Sequence, residues 1–406
     1  MTVTDTGTLV DRFNDLEIQL NTDLLERHTE IKTAIVALLA RRHHFQVGPP
    51  GVAKSLLVRR LAARIGGFGP HDYFQWLLTK YTTPAEVFGP PSLKALENDE
   101  YRLNTAGKLP VARIAFLDEI FKANSSILNA FLTIMNERLF FNNGASDEIP
   151  LQCIFAASNE MPQGDELNAL WDRLHFRHEV RPMNDGGNFV KMLKGTIDPN
   201  PVPSCDLTDL AAAQEVVEAI KIPSDIYDAI KTLRDNLRTE CGIEPTERRF
   251  VECIPIIKAT AFLNGRDIAD IDDMRLLRHV LWYRTDDQKV VSQQVLQLSN
   301  PVDKAAQDLL DQIEILSTEL DEAVTNSDNH KKLAQQAVQV HARLRKAKKE
   351  LDVLKTTQKD SGRTSEILDS LNDRFASVSK RLMKEAFHFD PKKVQGIQAA
   401  PELPEA

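Results

Sequence analysis

The stretch QVGPPGVAKS, residues 46–55, nearly matches the phosphate-binding loop G-x-x-x-x-G-K-[ST], with alanine where glycine usually precedes the lysine. Such a loop works because backbone N–H groups converge on a phosphate at a helix N-terminus. Lys54 would place a point charge on the β- and γ-phosphates, and the Ser55 hydroxyl would sit on Mg²⁺. Gly48 and Gly51 allow close approach, Pro49 and Pro50 stiffen the turn, and Val52, Ala53 and Leu56 complete the cradle. Ala53 keeps its N–H. Entering a first helical turn it needs only a negative φ, whereas a positive φ would cost roughly 1 kcal/mol.

A second pair of candidate groups is Asp118-Glu119, directly after the apolar run Ile114–Leu117. At the carboxyl end of a parallel strand beside the phosphate loop, Asp118 could hold the hydration shell of Mg²⁺. Glu119 could orient and deprotonate an attacking water. The plainer reading is two carboxylates opening a helix. Asn159 follows a third apolar run, where its amide could position the lytic water or touch a γ-phosphate, or could simply occupy a turn.

These residues need elements to hold them. Apolar residues at helical spacing over 23–43 predict a helix, and His44–Val47 predicts a strand stopped by Gly48-Pro49. A helix follows to about Arg64, ending at Gly66-Gly67. A strand is expected over 113–117, a helix over 125–138, a hairpin around Asn143-Gly144, and a strand over 151–157. Apolar strands alternating with helices predict a parallel sheet covered on both faces, hence an α/β fold. The proline-rich segment 197–205 reads as a linker, and 206–300 as all-helical. Beyond 302, Leu333, Ala337, Val340, Leu344, Ala347, Leu351 and Leu354 keep a heptad rhythm, with similar rows before and after. Breaks expected at 325–329 and 356–364 predict three helices folded on one another. The basic run Arg343–Lys349 lies on this heptad and reads as a solvated face. The tail from 391 is expected to be disordered.

A formal net charge of −9 provides no basic field for nucleic acid or anionic membrane. No apolar run approaches the roughly 20 residues of a membrane span. The first residues lack the basic and apolar regions of a secretory signal, so a cytoplasmic protein is expected. Cys153, Cys205, Cys241 and Cys253 form no C-x-x-C pair and are expected as reduced thiols.

Taken in order, QVGPPGVAKS, TTPAEVFGP (82–90), FLDEIFKANSSILNAFLTIMNER (116–138), AASNE (156–160), ALWDRLHFR (169–177) and HVLWYR (279–284) resemble the MoxR group of AAA+ ATPases, most closely the RavA subgroup. The resemblance covers roughly residues 20–300. It implies a P-loop core over 1–200 and an all-helical lid over 205–300, while the heptad rows make 301–390 a helical coiled-coil arm followed by a tail over 391–406. In that family alanine before the P-loop lysine is a usual variant, which implies an active loop binding ATP and Mg²⁺. It also implies Asp118 and Glu119 as the Walker B acids and Asn159 as a sensor. Arg173 matches the arginine finger that acts in trans, with Arg177 as its near rival. Arg248, or the adjacent Arg249, matches a second sensor in the lid.

A finger acting in trans implies a homo-oligomer, a hexamer in this family, with a protein client and a partner carrying a von Willebrand factor A (VWA) domain. Residues 74–113 and 139–150 resemble the family's helix-2 insert and pore hairpin, making Phe140 and Phe141 candidate pore contacts. RavA arms carry a β-rich insertion, for which 302–390 shows no strand block. The expected function is therefore a chaperone-like remodelling ATPase. Two other classes are an MCM-like nucleic-acid motor, disfavoured by the acidic balance, and a scaffold ordered by nucleotide, disfavoured by the intact set of candidate residues.

Overall fold

The computed structural model describes residues 3–195, 197–198, 200–326, 330–361 and 366–383. The expected tail, 391–406, lies outside them. Two compact units divide the chain, Met1–Val295 and Leu296–Ala406.

The first unit opens with α1 (Val3–Asp23) and α2 (His28–Leu39). The α1 helix was not anticipated, and α2 is shorter than the helix expected over 23–43. Left-handed residues at both borders, Glu26 at φ 59° and Arg41 at φ 54°, explain the breaks. There follow β1 (His44–Val47), α3 (Lys54–Ala63), β2 (Ile65–Gly66), β3 (Tyr73–Leu77), α4 (Pro84–Phe88), α5 (Leu93–Leu96) and β4 (Ile114–Asp118). Then come α6 (Ser125–Glu137), β5 (Leu139–Asn142), β6 (Ala145–Glu148), β7 (Cys153–Ser158), α7 (Asn168–Arg173), β8 (Phe176–Glu179) and α8 (Gly186–Lys194).

Five strands form one parallel sheet in the order β3-β4-β7-β1-β8. Its central strands are buried throughout because both faces are covered, which is why they read as unbroken apolar runs. Phe45, Phe116, Phe155 and Phe176 are almost fully enclosed, each contributing about 1.5–3 kcal/mol by burial.

The register aligns Val47 with Ser158 and Asp118 with Ala157, so the three candidate loops leave one edge of the sheet together. One expectation needs correcting. Residues 74–113 are not wholly an insert, because Tyr73–Leu77 pairs with Ile114–Asp118 as the edge strand of the core sheet. Only a partner strand could reveal this, since its burial is mixed. The hairpin β5–β6 turns at Asn143 and Gly144, both at positive φ as a type I′ turn requires. Phe140 is buried against Phe88, whereas Phe141 is 60% exposed, so of the two only Phe141 faces solvent.

The expected linker is tied down: β9 (Cys205–Asp206) pairs with β2, and Ser204 N–H donates to Arg64 O at 2.9 Å. The helical part then comprises α9 (Leu207–Ala219), α10 (Ser224–Cys241), α11 (Glu247–Leu263), a 3-10 segment Ile271–His279 and α12 (Asp287–Ser299). Asp206 caps α9 and Thr246 caps α11.

In the second unit, α13 (Pro301–Asn326), α14 (His330–Ser361) and α15 (Glu366–Arg381) pack through Leu309, Ile313, Leu316, Leu344, Leu351, Leu371 and Val378. The break expected from Thr356 does not begin there. Thr356 and Thr357 donate to the carbonyls four residues back, at 3.0 and 3.1 Å, and α14 runs on to Ser361. In the basic run, Arg343 pairs with Glu319, Lys346 with Glu350 and Lys348 with Asp352.

Candidate nucleotide site

The loop 48–53 joins β1 to α3, whose N-cap is Ala53 with no side-chain cap and no acidic residue in the first turn. The first N–H groups of α3 therefore have no intrahelical acceptor, which suits an anion. Ala53 sits at φ 69°, left-handed, contrary to the expectation that it needs only a negative φ. Gly51, at φ 87°, is also left-handed. Left-handed residues on either side of Val52 give the kind of backbone from which anion-binding concavities are built. A Cβ on Gly48 would lie 2.2 Å from Val180 O, so the loop can reach its place only with glycine there.

Lys54 folds across this loop. Its ammonium donates to Gly48 O, to Pro49 O at 3.1 Å and to Asn159 Oδ1 at 3.0 Å. Burial pushes its pKa below the usual lysine range, and Asp118 and Glu119 oppose that. Asn159 donates through Nδ2 to Glu119 Oε1. The other Glu119 oxygen accepts from Ser158 Oγ at 3.3 Å and lies 3.2 Å from Lys122 Nζ. Glu119 itself is left-handed at φ 53°, a backbone cost of order 1–3 kcal/mol that turns its side chain inward from the strand end. Asp118 accepts the Glu119 N–H at 3.0 Å. Ser55 and Leu56 are half-buried in the first turn of α3. Lys54, Glu119 and Asn159 are thus joined in one chain of hydrogen bonds, with Asp118 adjoining.

A brace not foreseen in the sequence holds the loop. Arg27 donates to Val52 O at 3.4 Å and to Arg181 O at 2.7 Å. Glu26 accepts the N–H groups of Asn184 and Asp185 at 2.8 and 3.1 Å.

The arginines separate clearly. Arg177 is wholly enclosed, donates to Trp171 O, Leu174 O and Trp282 O, and lies 3.8 Å from the Trp171 ring centroid. Arg249 is equally enclosed and donates to the carbonyls of Asp172, Leu174, His175 and Val280. Both are consumed by backbone. Arg173 is half-buried and, among the described residues, donates only to Ala169 O, at 2.6 Å, while Arg248 is exposed. Burial, and then the charge of Arg248, lower the pKa of Arg173. The motif segments 169–177 and 279–284 carried this brace, but spacing alone did not say which arginine each would bury.

A parallel sheet of this order, with a phosphate-type loop, strand-end acids and a helical lid, defines a P-loop ATPase of the AAA+ class. Residues 11–214 match the family described as "MoxR domain in the MoxR-vWA-beta-propeller ternary systems", and 225–295 match an AAA lid domain. Two uncharacterized proteins of Methanocaldococcus jannaschii are each 40% identical, over 76% and 75% of this chain and 79% of their own lengths. The crystal structure of a candidate ATPase from Cytophaga hutchinsonii superposes with TM-score 0.59 at 13% identity, over 73% of this chain and 96% of that one, a likeness of fold. The chain belongs to the MoxR family of AAA+ ATPases.

Proposed function

We propose that the chain is an ATP-hydrolysing, MoxR-type ring ATPase that remodels a partner protein or complex. One observation carries the reading: the Asn159 amide joins Lys54 to Glu119, so three motifs far apart in sequence share one hydrogen-bonded site. The N-terminus of α3 and Lys54 bind the phosphates of ATP. Ser55 and Asp118 would hold Mg²⁺, largely through water, and the ion when bound neutralises charge on the β- and γ-phosphates. Lys54 turns from the loop carbonyls to the phosphates. Asn159, no longer held by Lys54, orients the water that Glu119 deprotonates.

Arg173 serves a neighbouring subunit, which requires a homo-oligomer, proposed as a hexamer. Arg248 is taken as the second sensor, with Arg249 excluded by its burial. We take 1–200 as core, 205–300 as lid, 301–390 as arm and 391–406 as tail. A VWA-domain partner is supported by the description of the matched family. The RavA placement rests on the core and lid segments, because the described residues of the arm are helical. Among the described residues no helix is long and apolar enough to cross a membrane, consistent with the proposed cytoplasmic setting. Phe141 is offered as a pore contact.

The test is Glu119→Gln. Turnover should fall by roughly 10²–10⁴-fold while ATP stays bound to an assembled ring. Affinity capture with that variant and ATP would then retain the client. Unchanged turnover would remove Glu119 from this role.

A further inference from the structure

We propose that Arg27 is a positioning residue for the phosphate loop: it holds the Val52–Ala53 peptide so that Ala53 can donate to a bound phosphate, against a flip that alanine at this position favours. This rests on the ATPase reading above. Arg27 is buried in the turn between α1 and α2. Each of its three guanidinium nitrogens donates to a backbone carbonyl: Nη1 to Glu26 O at 2.6 Å, Nη2 to Arg181 O at 2.7 Å, and Nε, the longest of the three, to Val52 O at 3.4 Å.

Among the described residues every peptide bond is trans, so the Val52 C=O and the Ala53 N–H point in opposite directions. A guanidinium that holds the carbonyl therefore also aims the N–H. Ala53 is the N-cap of α3, and its N–H belongs to the set that the helix itself cannot pair. At φ 69° Ala53 is left-handed, a conformation that alanine keeps only at a cost. Rotating the peptide by about half a turn carries Ala53 to a negative φ and relieves that cost. It also exchanges the N–H for a carbonyl oxygen, so a phosphate meets an acceptor in place of a donor. Val52 is buried, and its carbonyl without Arg27 would lose a donor that water cannot readily replace, which adds to the pressure to rotate.

The start of the loop rests on the same support. Gly48 lies so close to Val180 O that a Cβ has no room, and the Val180 N–H donates to Val47 O at 2.7 Å. The next residue, Arg181, gives its carbonyl to Arg27. One planar guanidinium thus spans the strand exit under Gly48 and the peptide at the far end of the loop. Glu26 fastens that exit from the adjoining position, accepting from Asn188 Nδ2 at 3.1 Å besides the N–H groups of Asn184 and Asp185. Glu26 is itself left-handed, at φ 59°, a strain the turn bears while both side chains reach the segment 181–188.

The experiment measures ATP hydrolysis by the full-length assembly, its inhibition by ADP, and oligomer mass. Arg27→Lys keeps the charge and loses the planar fork. It should raise KM for ATP and Ki for ADP together by roughly ten- to a hundredfold, with kcat at saturation and mass unchanged. Ala53→Gly tests the mechanism, because glycine populates both signs of φ about equally and removes the incentive to flip. In the Arg27→Lys background it should recover roughly fivefold of the lost affinity. In wild type it should leave affinity unchanged. If Arg27→Lys does not fold, Arg27→Gln, which keeps a donor without a buried charge, carries the same readouts.

Wild-type KM and Ki in the folded variant would overturn the proposal, as would a fall in kcat alone. So would a loss of affinity that Ala53→Gly leaves untouched, since a general loosening of the turn is indifferent to the residue at 53. Lys54→Ala separates the two levels. If it binds and hydrolyses ATP as wild type does, the ATPase reading and the role of Arg27 fall together. If it is inactive while Arg27→Lys is unaffected, the role of Arg27 alone falls.

Discussion

Acidification from pH 7 to 5.5 should remove most of the stability of the 1–295 unit. Five histidines there, His43, His44, His175, His178 and His279, have pKa values lowered first by burial. His178 is pushed down to about 3. They form two groups. His44, His178 and His279 stack with centroids 5.0 and 4.6 Å apart, and Thr33 Oγ1 lies between His44 and His178 at 3.1 and 2.8 Å. His43 and His175 lie beside Arg138, Arg42 and Arg249, whose charges further disfavour protonation.

The sign follows directly. The unfolded chain takes up protons below a pKa of about 6.5, and the fold does not, so stability falls as pH falls below that value. It goes on falling until the fold itself accepts protons. Between pH 7 and 5.5 each such histidine costs slightly more than 1 kcal/mol, about 6 kcal/mol for five. A domain is stable by about 5–15 kcal/mol, so the loss is of the same order as the whole. Glu30 and Asp273, whose carboxyl pKa values are raised by burial, act in the opposite sense. The assay is urea unfolding at several pH values followed by tryptophan fluorescence, since Trp171 and Trp282 are buried. His279→Gln should flatten the dependence by roughly one fifth. A change below about 2 kcal/mol between pH 7 and 5.5 would refute the reasoning.

Two further outcomes can be checked with the same instruments. Ala53→Gly should raise stability by about 1 kcal/mol, read as a higher urea midpoint, because glycine relieves the left-handed backbone at φ 69°. Gly48→Ala should abolish nucleotide binding in a calorimetric titration, because its Cβ would lie 2.2 Å from Val180 O and must displace the loop.

Much of the site was legible because its signals are local. A strand followed by QVGPPGVAKS, or by Asp118-Glu119, carries its own geometry within a few residues, and the heptad rows declared their helices. The strands β3 and β8 were not legible, since short strands of mixed polarity are defined by what pairs with them. The histidine stack is likewise assembled from distant segments, His44 and His178 on adjacent strands and His279 beside them.

The chain alone determined which chemistry was available: a loop of phosphate-binding type, two strand-end acids, a strand-end amide and four arginines in two pairs. Which arginine of each pair stays available is a tertiary outcome. Arg248 and Arg249 differ by one step of about 100° around a helix, and the carbonyls of Asp172, Leu174, His175 and Val280 claim the second. Arg177 is taken by the lid in the same way, leaving Arg173. The left-handed backbone at Ala53 and Glu119 was likewise decided by the fold, because a non-glycine residue keeps such a conformation only where the surrounding structure over-determines it.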